Sequence, residues 1–475
     1  MSELIKADIC VIGGGSAGLS VAAGAAQMGA RTVLIEGNRM GGDCLNTGCV
    51  PSKSLLAAAK AAHVARASRR FGVQEQDPRI DFAAVNRYVH GVIDTIAPHD
   101  SVERFVGLGC KVIEARGHFI DRRTVLAGNY QIRARRFVIA TGSGPFVPHI
   151  EGLENVPYFT NETIFDNSIL PDHLIVIGAG PIGCELAQAH RRLGAKVTVL
   201  DLARMLPKDD PEAVEVVRKR FLAEGIESAE AVKILRVERL ASGVAVVLAG
   251  DEQERRIEGT HILIATGRRA NIRDLGLEDA GVRCTPKGIE VDARLRTSNK
   301  RIFAAGDVIG GYQFTHMASY HAGIVLRNAL FRLPAKSSTK ALPWVTYTDP
   351  ELAHVGLSAS EARKLHGDTI RVVRAEFAEN DRAQADGSPH GFLKAVVGKR
   401  GHILGATIVG PHAGELILPW VLAISKNHKI GDMAALIAPY PTLSEISKRA
   451  AGSYFTPMLF SPRTRWLVRL LGVFG

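Results

Sequence analysis

Two cysteines set five positions apart, Cys44 and Cys49, lie in the stretch Gly41-Gly42-Asp43-Cys44-Leu45-Asn46-Thr47-Gly48-Cys49-Val50-Pro51-Ser52-Lys53. The chain has only six cysteines in 475 residues. In an unbroken helix, positions i and i+5 differ by ~7.5 Å along the axis alone, whereas a disulfide needs Cα atoms roughly 4.4–6.8 Å apart. The pair can close only if a helix starts late or is distorted, and Gly48 and Pro51 permit that. A strained disulfide beside the positive end of a helix is reducible, and its thiol has a lowered pKa. The other readings are two independently placed cysteines, or half of a zinc site. Zinc requires four ligands at recognisable spacing, and Cys10, Cys110, Cys184 and Cys284 are scattered.

Two glycine-rich turns must position this pair. Asp8-Ile9-Cys10-Val11-Ile12 reads as a buried strand, followed by Gly13-Gly14-Gly15-Ser16-Ala17-Gly18 and an alanine-rich helix to about Met28. Thr32-Val33-Leu34-Ile35 is the next strand and ends in Glu36. The glycines allow a tight turn, close approach of backbone to a pyrophosphate, and helix–strand packing; Glu36 is placed to accept a ribose hydroxyl. A second unit repeats the plan at Leu174-Ile175-Val176-Ile177-Gly178-Ala179-Gly180-Pro181-Ile182-Gly183, with the strand Lys196–Leu200 ending in Asp201. An acid there repels a 2′-phosphate and bonds a ribose diol, which favours NADH over NADPH. Arg204, three residues on, is the one nearby group that argues for a phosphate. Two further segments repeat each other: Phe137-Val138-Ile139-Ala140-Thr141-Gly142 and Ile262-Leu263-Ile264-Ala265-Thr266-Gly267, each a buried strand ending in a glycine turn.

These motifs together resemble the class I, FAD-dependent pyridine nucleotide–disulfide oxidoreductases, the group that contains dihydrolipoamide dehydrogenase, glutathione reductase and mercuric reductase. The resemblance runs to about Tyr454. It implies an α/β fold: two Rossmann-like domains for FAD and NAD(P), plus an α+β C-terminal dimerisation domain. The implied boundaries are 1–150 and 281–343 for FAD, 151–280 for NAD(P), 344–458 for the interface and 459–475 for a basic amphipathic tail. It implies one FAD per subunit, and a homodimer in which each site is completed by the partner. Hydride would pass from the nicotinamide to FAD and on to the Cys44–Cys49 disulfide, leaving a Cys49 thiolate against the flavin and Cys44 as the nucleophile toward an acceptor.

Residue by residue, the resemblance assigns Lys53 to the flavin's reactive nitrogen, paired with Glu185. Arg301-Ile302-Phe303-Ala304-Ala305-Gly306-Asp307 resembles the second FAD motif, so Asp307 would bond the ribityl chain. Phe314-Thr315-His316-Met317 opens a helix whose dipole would face the reduced flavin, with His316 as a contact. The implied FAD set is Gly13, Gly15, Gly18, Glu36, Lys53, Gly117, Thr141, Gly142, Asp307 and His316; the NAD(P) set is Gly178, Gly180, Gly183, Asp201 and Gly267.

One departure bears on substrate. Disulfide-reducing members supply a histidine–glutamate dyad from the partner chain, the histidine protonating the leaving thiolate. Here the segment reads Ile437-Ala438-Pro439-Tyr440-Pro441-Thr442-Leu443-Ser444-Glu445: the glutamate is Glu445 but the histidine position holds Tyr440. A phenol, with an ordinary pKa of about 10, is a poor proton shuttle at neutral pH. Tyrosine here resembles mercuric reductases, which bind a soft metal as a bis-thiolate. Those enzymes also carry a C-terminal cysteine pair, and this chain has no cysteine after Cys284. The acceptor is therefore a thiol/disulfide compound or a soft metal. The rivals are a mercuric-reductase-like metal reductase, a redox-sensing flavoprotein that docks a partner or membrane, and a dihydrolipoyl dehydrogenase with Tyr440 tolerated.

Composition frames this reading. A hydrophobic content of 46% with 23% charged residues is that of a globular protein, and there is no apolar run of roughly 18 residues to span a bilayer. The N-terminus runs straight into a strand without a signal-peptide plan, which points to the cytoplasm, where such a pair is catalytic. The net charge of +11 is dispersed, without a nucleic-acid-binding motif. The tail Phe460-Ser461-Pro462-Arg463-Thr464-Arg465-Trp466-Leu467-Val468-Arg469-Leu470-Leu471-Gly472-Val473-Phe474 is basic and aromatic-rich, suited to packing on its own dimer, to a partner, or, through 461–475, to an anionic membrane surface.

Overall fold

The computed structural model describes residues 2–74, 77–250 and 253–473. The chain divides into two compact units, Met1–Arg204 with Ile226–Ser338, and Met205–Gly225 with Thr339–Gly475.

The first unit is built on a larger mixed sheet and a smaller parallel one. Its leading segment runs β1 (Glu3–Ile12), α1 (Ser16–Gln27), β2 (Thr32–Glu36), α2 (Gly42–Asn46), α3 (Cys49–Arg66), β3 (Cys110–Glu114), β4 (Gly117–Asp121), β5 (Thr124–Ala127) and β6 (Tyr130–Ile139). The second glycine unit follows as β7 (His173–Ile177), α4 (Pro181–Leu193), β8 (Lys196–Leu200), β9 (Glu227–Ala229) and β10 (His261–Ile264); β11 (Ile302–Ala304) and α5 (Thr315–Ala329) then return to the leading segment. The larger sheet has the order β3-β2-β1-β6, all parallel. The far edge of β6 is shared: its first half pairs antiparallel with β5, its last three residues pair parallel with β11. Alternate residues of β1 serve opposite faces. Cys10 and Ile12 join the cluster of Ile35, Phe119 and Phe137, while Ile9 and Val11 pack with Val21 of α1 and Val325 of α5. Burial on both faces is why these strands read as continuous apolar runs. The smaller sheet has the parallel order β9-β8-β7-β10, so β7 and β10 repeat the parts of β1 and β6.

The second unit holds a five-stranded antiparallel sheet of β12 (Pro343–Thr346), β13 (Glu351–Gly356), β14 (Arg371–Glu376), β15 (Phe392–Val397) and β16 (Ile403–Gly410), in the order β12-β13-β16-β15-β14. Trp420, fully buried, anchors its helical side and donates to Ser447 at 3.1 Å. The helix Pro211–Ala223, within the 151–280 span by number, folds with this unit. Asp210 caps that helix and meets the buried Lys394 of β15 at 2.9 Å; Glu212 adds a 2.6 Å contact. The chain ends with α6 (Glu445–Ser453), α7 (Thr456–Leu459) and α8 (Pro462–Leu471). Phe474 and Gly475, the end of the expected tail, lie outside the described residues. Among the described residues no helix is long and apolar enough to cross a membrane.

Candidate active site

The break expected between the cysteines is present. α2 ends at Asn46, α3 begins at Cys49, and Gly48 between them has φ −125° and ψ −110°, outside the helical region. Cys44 therefore sits in a short helical turn and Cys49 on the first residue of a long helix. Both are free thiols here. Thr315, the first residue of α5, brings its Oγ1 to 3.4 Å from the Cys49 Sγ. Two helix N-termini thus converge on one sulfur, a setting that favours negative charge.

The two thiols are unlike. The hydrogen bond from Cys44, then that of Thr315 and the charge of Lys53, bring Cys49 down to about 6 against the opposing effect of burial. Cys44 is pushed far up, first by donating to Cys49, then by burial and by the neighbouring negative charge. The lowered pKa expected for the pair is found at Cys49 and not at Cys44. Lys53, one turn into α3, reaches Glu185 of α4 at 2.7 Å, with the Glu185 side chain only 6% exposed.

Behind the cysteines lies a charge network that sequence reasoning did not find. Arg268, nearly buried, lies 3.2 Å from Asp43 Oδ2 and 3.9 Å from Asp307, and donates to Ser143 Oγ at 2.8 Å. Asp43 also accepts from Thr47 at 3.0 Å and from the buried Asn161 at 3.1 Å, which fixes the turn carrying Cys44. Ser143 donates to Asp307 at 2.7 Å, and burial raises the Asp307 pKa. The only sequence signal for Arg268 was its place directly after the repeated strand–glycine turn.

The two glycine turns are built alike. Gly13 and Gly178 have φ of +109° and +113°, and an added Cβ would lie 2.3 Å from the carbonyl oxygen of Ala140 or Ala265 respectively. A Cβ on Gly18 or Gly183 would fall 1.8 or 1.9 Å from the oxygen of Gly13 or Gly178. Glu36 accepts from the Gly14 and Asn38 N–H groups; Asp201 accepts from Ala179 at 2.5 Å and Ala203 at 2.7 Å. Gly15 and Gly180 precede α1 and α4, and neither helix has a side-chain cap at its N-terminus, the form of end that receives phosphate. Thr141 and Thr266 close the repeat, donating at 2.7 Å to the carbonyls of Asn271 and Phe146; Gly142 and Gly267 follow in positive φ. Gly117 is buried in β4 against Ile35, beside the strand ending in Glu36. His316 is exposed and stacks on Phe314 with centroids 5.2 Å apart, while its neighbour Thr315 takes the contact with Cys49.

Tyr440 and Glu445 are held in the second unit. The Tyr440 hydroxyl, exposed, donates to Asp381 at 3.0 Å; that bond and the Asp381 charge raise its pKa above the ordinary value of 10. Glu445 starts α6 and accepts from the Thr442 N–H at 3.4 Å.

The pyridine nucleotide-disulphide oxidoreductase profile matches residues 7–322, and the dimerisation domain of the same group matches 342–451. The chain belongs to this family. It is 35% identical to a mercuric reductase of Streptomyces lividans over 460 residues, covering 94% of this chain and 96% of that protein. It is 34% identical to a dihydrolipoyl dehydrogenase of Geobacillus stearothermophilus over 461 residues, with the same coverage of both. Among solved structures it resembles the Cu(II) complex of RclA, a HOCl-induced flavoprotein disulfide reductase of Escherichia coli (TM-score 0.85, 26% identity, 94% of this chain and 99% of that one).

Members are FAD-dependent enzymes linked to a pyridine nucleotide, and this chain is an oxidoreductase of that kind. The two uncapped helix ends, each behind a turn that a single Cβ would fill, fit two dinucleotides. Among the described residues no group of three or more His, Cys, Asp or Glu side chains is arranged to hold a metal.

Proposed function

We propose that this enzyme is an NADH-linked reductase whose working group is the Cys44/Cys49 pair and whose acceptor is a soft, thiol-binding metal ion of the mercury or copper class. Bound FAD, held by Gly13, Gly15, Gly18, Glu36, Lys53, Gly117, Thr141, Gly142, Asp307 and His316, supplies the two-electron link between nicotinamide and sulfur. Gly178, Gly180, Gly183, Asp201 and Gly267 hold the nicotinamide dinucleotide. The Asp201 carboxylate, fixed by two backbone N–H groups, supports NADH over NADPH because an acid at the end of this strand repels a 2′-phosphate. A homodimer is supported by the dimerisation-domain match and by the apolar side chains of Ile437, Leu418 and Leu422, exposed in the single chain. A reducing cytoplasm suits a cysteine pair used in catalysis.

What carries the reading is the placement of Cys49, on the first residue of α3, 3.4 Å from the Thr315 hydroxyl of α5 and one turn from Lys53, with its thiol brought down while that of Cys44 is pushed up. Cys49 holds its charge between two helix ends and Lys53, while Cys44 keeps the proton until an acceptor arrives. A soft cation needs only that Cys44 release this proton as two S–metal bonds form. A disulfide acceptor would also need an acid to protonate the leaving thiolate, and Tyr440, with its pKa raised by Asp381, is a weak one. The relatives that support the metal reading are the mercuric reductases and the copper complex of the flavoprotein disulfide reductase. A second reading, reduction of a small disulfide, is supported by the similarity to a dihydrolipoyl dehydrogenase.

The test begins with anaerobic NADH titration of the FAD-loaded protein, with NADPH as control. The expected result is two new titratable thiols per chain and a broad long-wavelength absorbance, neither appearing in Cys49→Ser. Hg(II) or Cu(II) should then drive NADH oxidation in the wild type and not in Cys44→Ser. Faster turnover with oxidised lipoamide than with either metal would replace the metal reading by the disulfide one.

A further inference from the structure

The last helix finds no place in the fold. All ten residues of α8 (Pro462–Leu471) are at least partly exposed, Trp466 and Val468 by more than three-fifths, and the helix lies beyond residue 451, where the dimerisation-domain match ends. It is nonetheless firmly built. Ser461 caps it by accepting from the Thr464 N–H, and the Thr464 hydroxyl donates to the Met458 carbonyl at 2.7 Å, fixing the turn from α7. At about 3.6 residues per turn, Trp466, Leu467, Leu470, Leu471 and Val468 cover one broad side. Arg465 and Arg469, one turn apart, form a narrow stripe on the other, while Arg463, in the first turn, projects from the apolar side. The apolar side continues into Phe460, which is 67% exposed.

We infer that α8 is an interfacial anchor that binds the enzyme to an anionic lipid bilayer. Charge decides the occupant. No acidic residue follows Glu445, whereas Arg463, Arg465 and Arg469 crowd the helix. A second copy of the chain, itself carrying +11, could cover the leucines but would set the arginines in a cationic field. A nucleic acid would attract the arginines and leave the broad apolar side without a partner. An anionic bilayer satisfies both at once: Trp466 and the leucines enter the headgroup–acyl boundary, and the arginines meet phosphates. The enzyme would then draw acceptors from, or pass products to, the membrane surface.

The test is flotation of the FAD-loaded full-length enzyme with vesicles of mixed phosphatidylglycerol and phosphatidylcholine, against vesicles of phosphatidylcholine alone. Binding to the mixed vesicles that weakens with added salt, with a blue shift of tryptophan emission lost in Trp466→Phe, supports the anchor. An Arg465→Gln/Arg469→Gln double variant should lose about fivefold per arginine, roughly 25-fold in all, while its NADH-driven reduction stays at the wild-type rate. Leu470→Ser/Leu471→Ser should lose binding while remaining active. The inference is overturned if the wild type does not float, or if protein lacking residues 462–475 floats equally well. It is also overturned if Leu470→Ser/Leu471→Ser turns a dimer into monomers in sedimentation velocity while vesicle binding persists.

Discussion

The charge on Cys49 is the property most open to measurement. In the dithiol form its pKa is about 6, and two neutral donors are among the groups that hold it there, Cys44 first and Thr315 after it. A hydrogen bond to a charged group contributes about 1.5–3 kcal/mol, and a pKa unit corresponds to ~1.4 kcal/mol. Cys44→Ala removes the larger donor and should raise Cys49 by roughly 1–2 units. Thr315→Val keeps the shape of the side chain and removes only the hydroxyl, whose 3.4 Å contact is longer and faces solvent. Screening there reduces its contribution to about 1 kcal/mol, or ~0.7 unit. The sign is fixed: losing a donor destabilises the anion, raises the pKa and lowers the thiolate fraction at neutral pH. At pH 7 that fraction should fall from about nine-tenths in the wild type to about two-thirds in Thr315→Val, and lower still in Cys44→Ala. The assay is the ultraviolet absorbance of the thiolate across a pH titration of reduced protein, with Cys49→Ser subtracted. The reasoning fails if Cys44→Ala titrates at or below the wild type, or if Thr315→Val shifts further than Cys44→Ala.

Gly183→Ala, whose Cβ would lie 1.9 Å from the Gly178 oxygen, should leave FAD content intact and abolish reduction by NADH, as read by bound flavin and stopped-flow absorbance. Lys394→Met strands the buried Asp210 carboxylate and should cost about 3–5 kcal/mol in urea unfolding, while adding Asp210→Asn should recover part of that loss. Burial first, and the neighbouring Asp210 last, hold Asp209 up to about 6, although it accepts from Trp344 at 2.7 Å. A carboxyl raised on folding binds more protons in the native state, so the wild type should lose on the order of 2 kcal/mol as pH climbs from about 4 to 6. Asp209→Asn should flatten that slope in denaturation curves taken across the same pH range.

The cofactor turns were legible because their constraints are local. A glycine whose Cβ would fall 1.8 Å from a carbonyl oxygen, and an acid at the end of the second strand, are written within thirty residues of each other. The broken helix between Cys44 and Cys49 was legible for the same reason, through Gly48 and Pro51. Contacts between distant segments were hidden. Nothing in the order of residues announces that Thr315 will meet Cys49, or that Arg268 will lie between Asp43 and Asp307. The unequal thiols followed from those same long-range neighbours, so a shared low pKa was the natural reading of the motif alone. The helix Pro211–Ala223 lies by number among the strands of the second glycine unit, and only its ion pairs with Lys394 reveal where it folds.

Lys53 and Glu185 join two rods. α3 starts at Cys49 and α4 starts at the Gly180 turn; the helices pack side by side and are pinned by that 2.7 Å bridge. A nucleotide held at the Gly180 turn would sit at the start of the rod that carries Glu185, and Lys53 ties that rod to the helix whose first residue is Cys49. Thermodynamic reciprocity then works in both directions. Whatever nucleotide occupancy does to the proton affinity of Cys49, protonation of Cys49 must do to nucleotide affinity. Any coupling between the two ends can therefore be read from either one, as a nucleotide affinity that follows the protonation of Cys49.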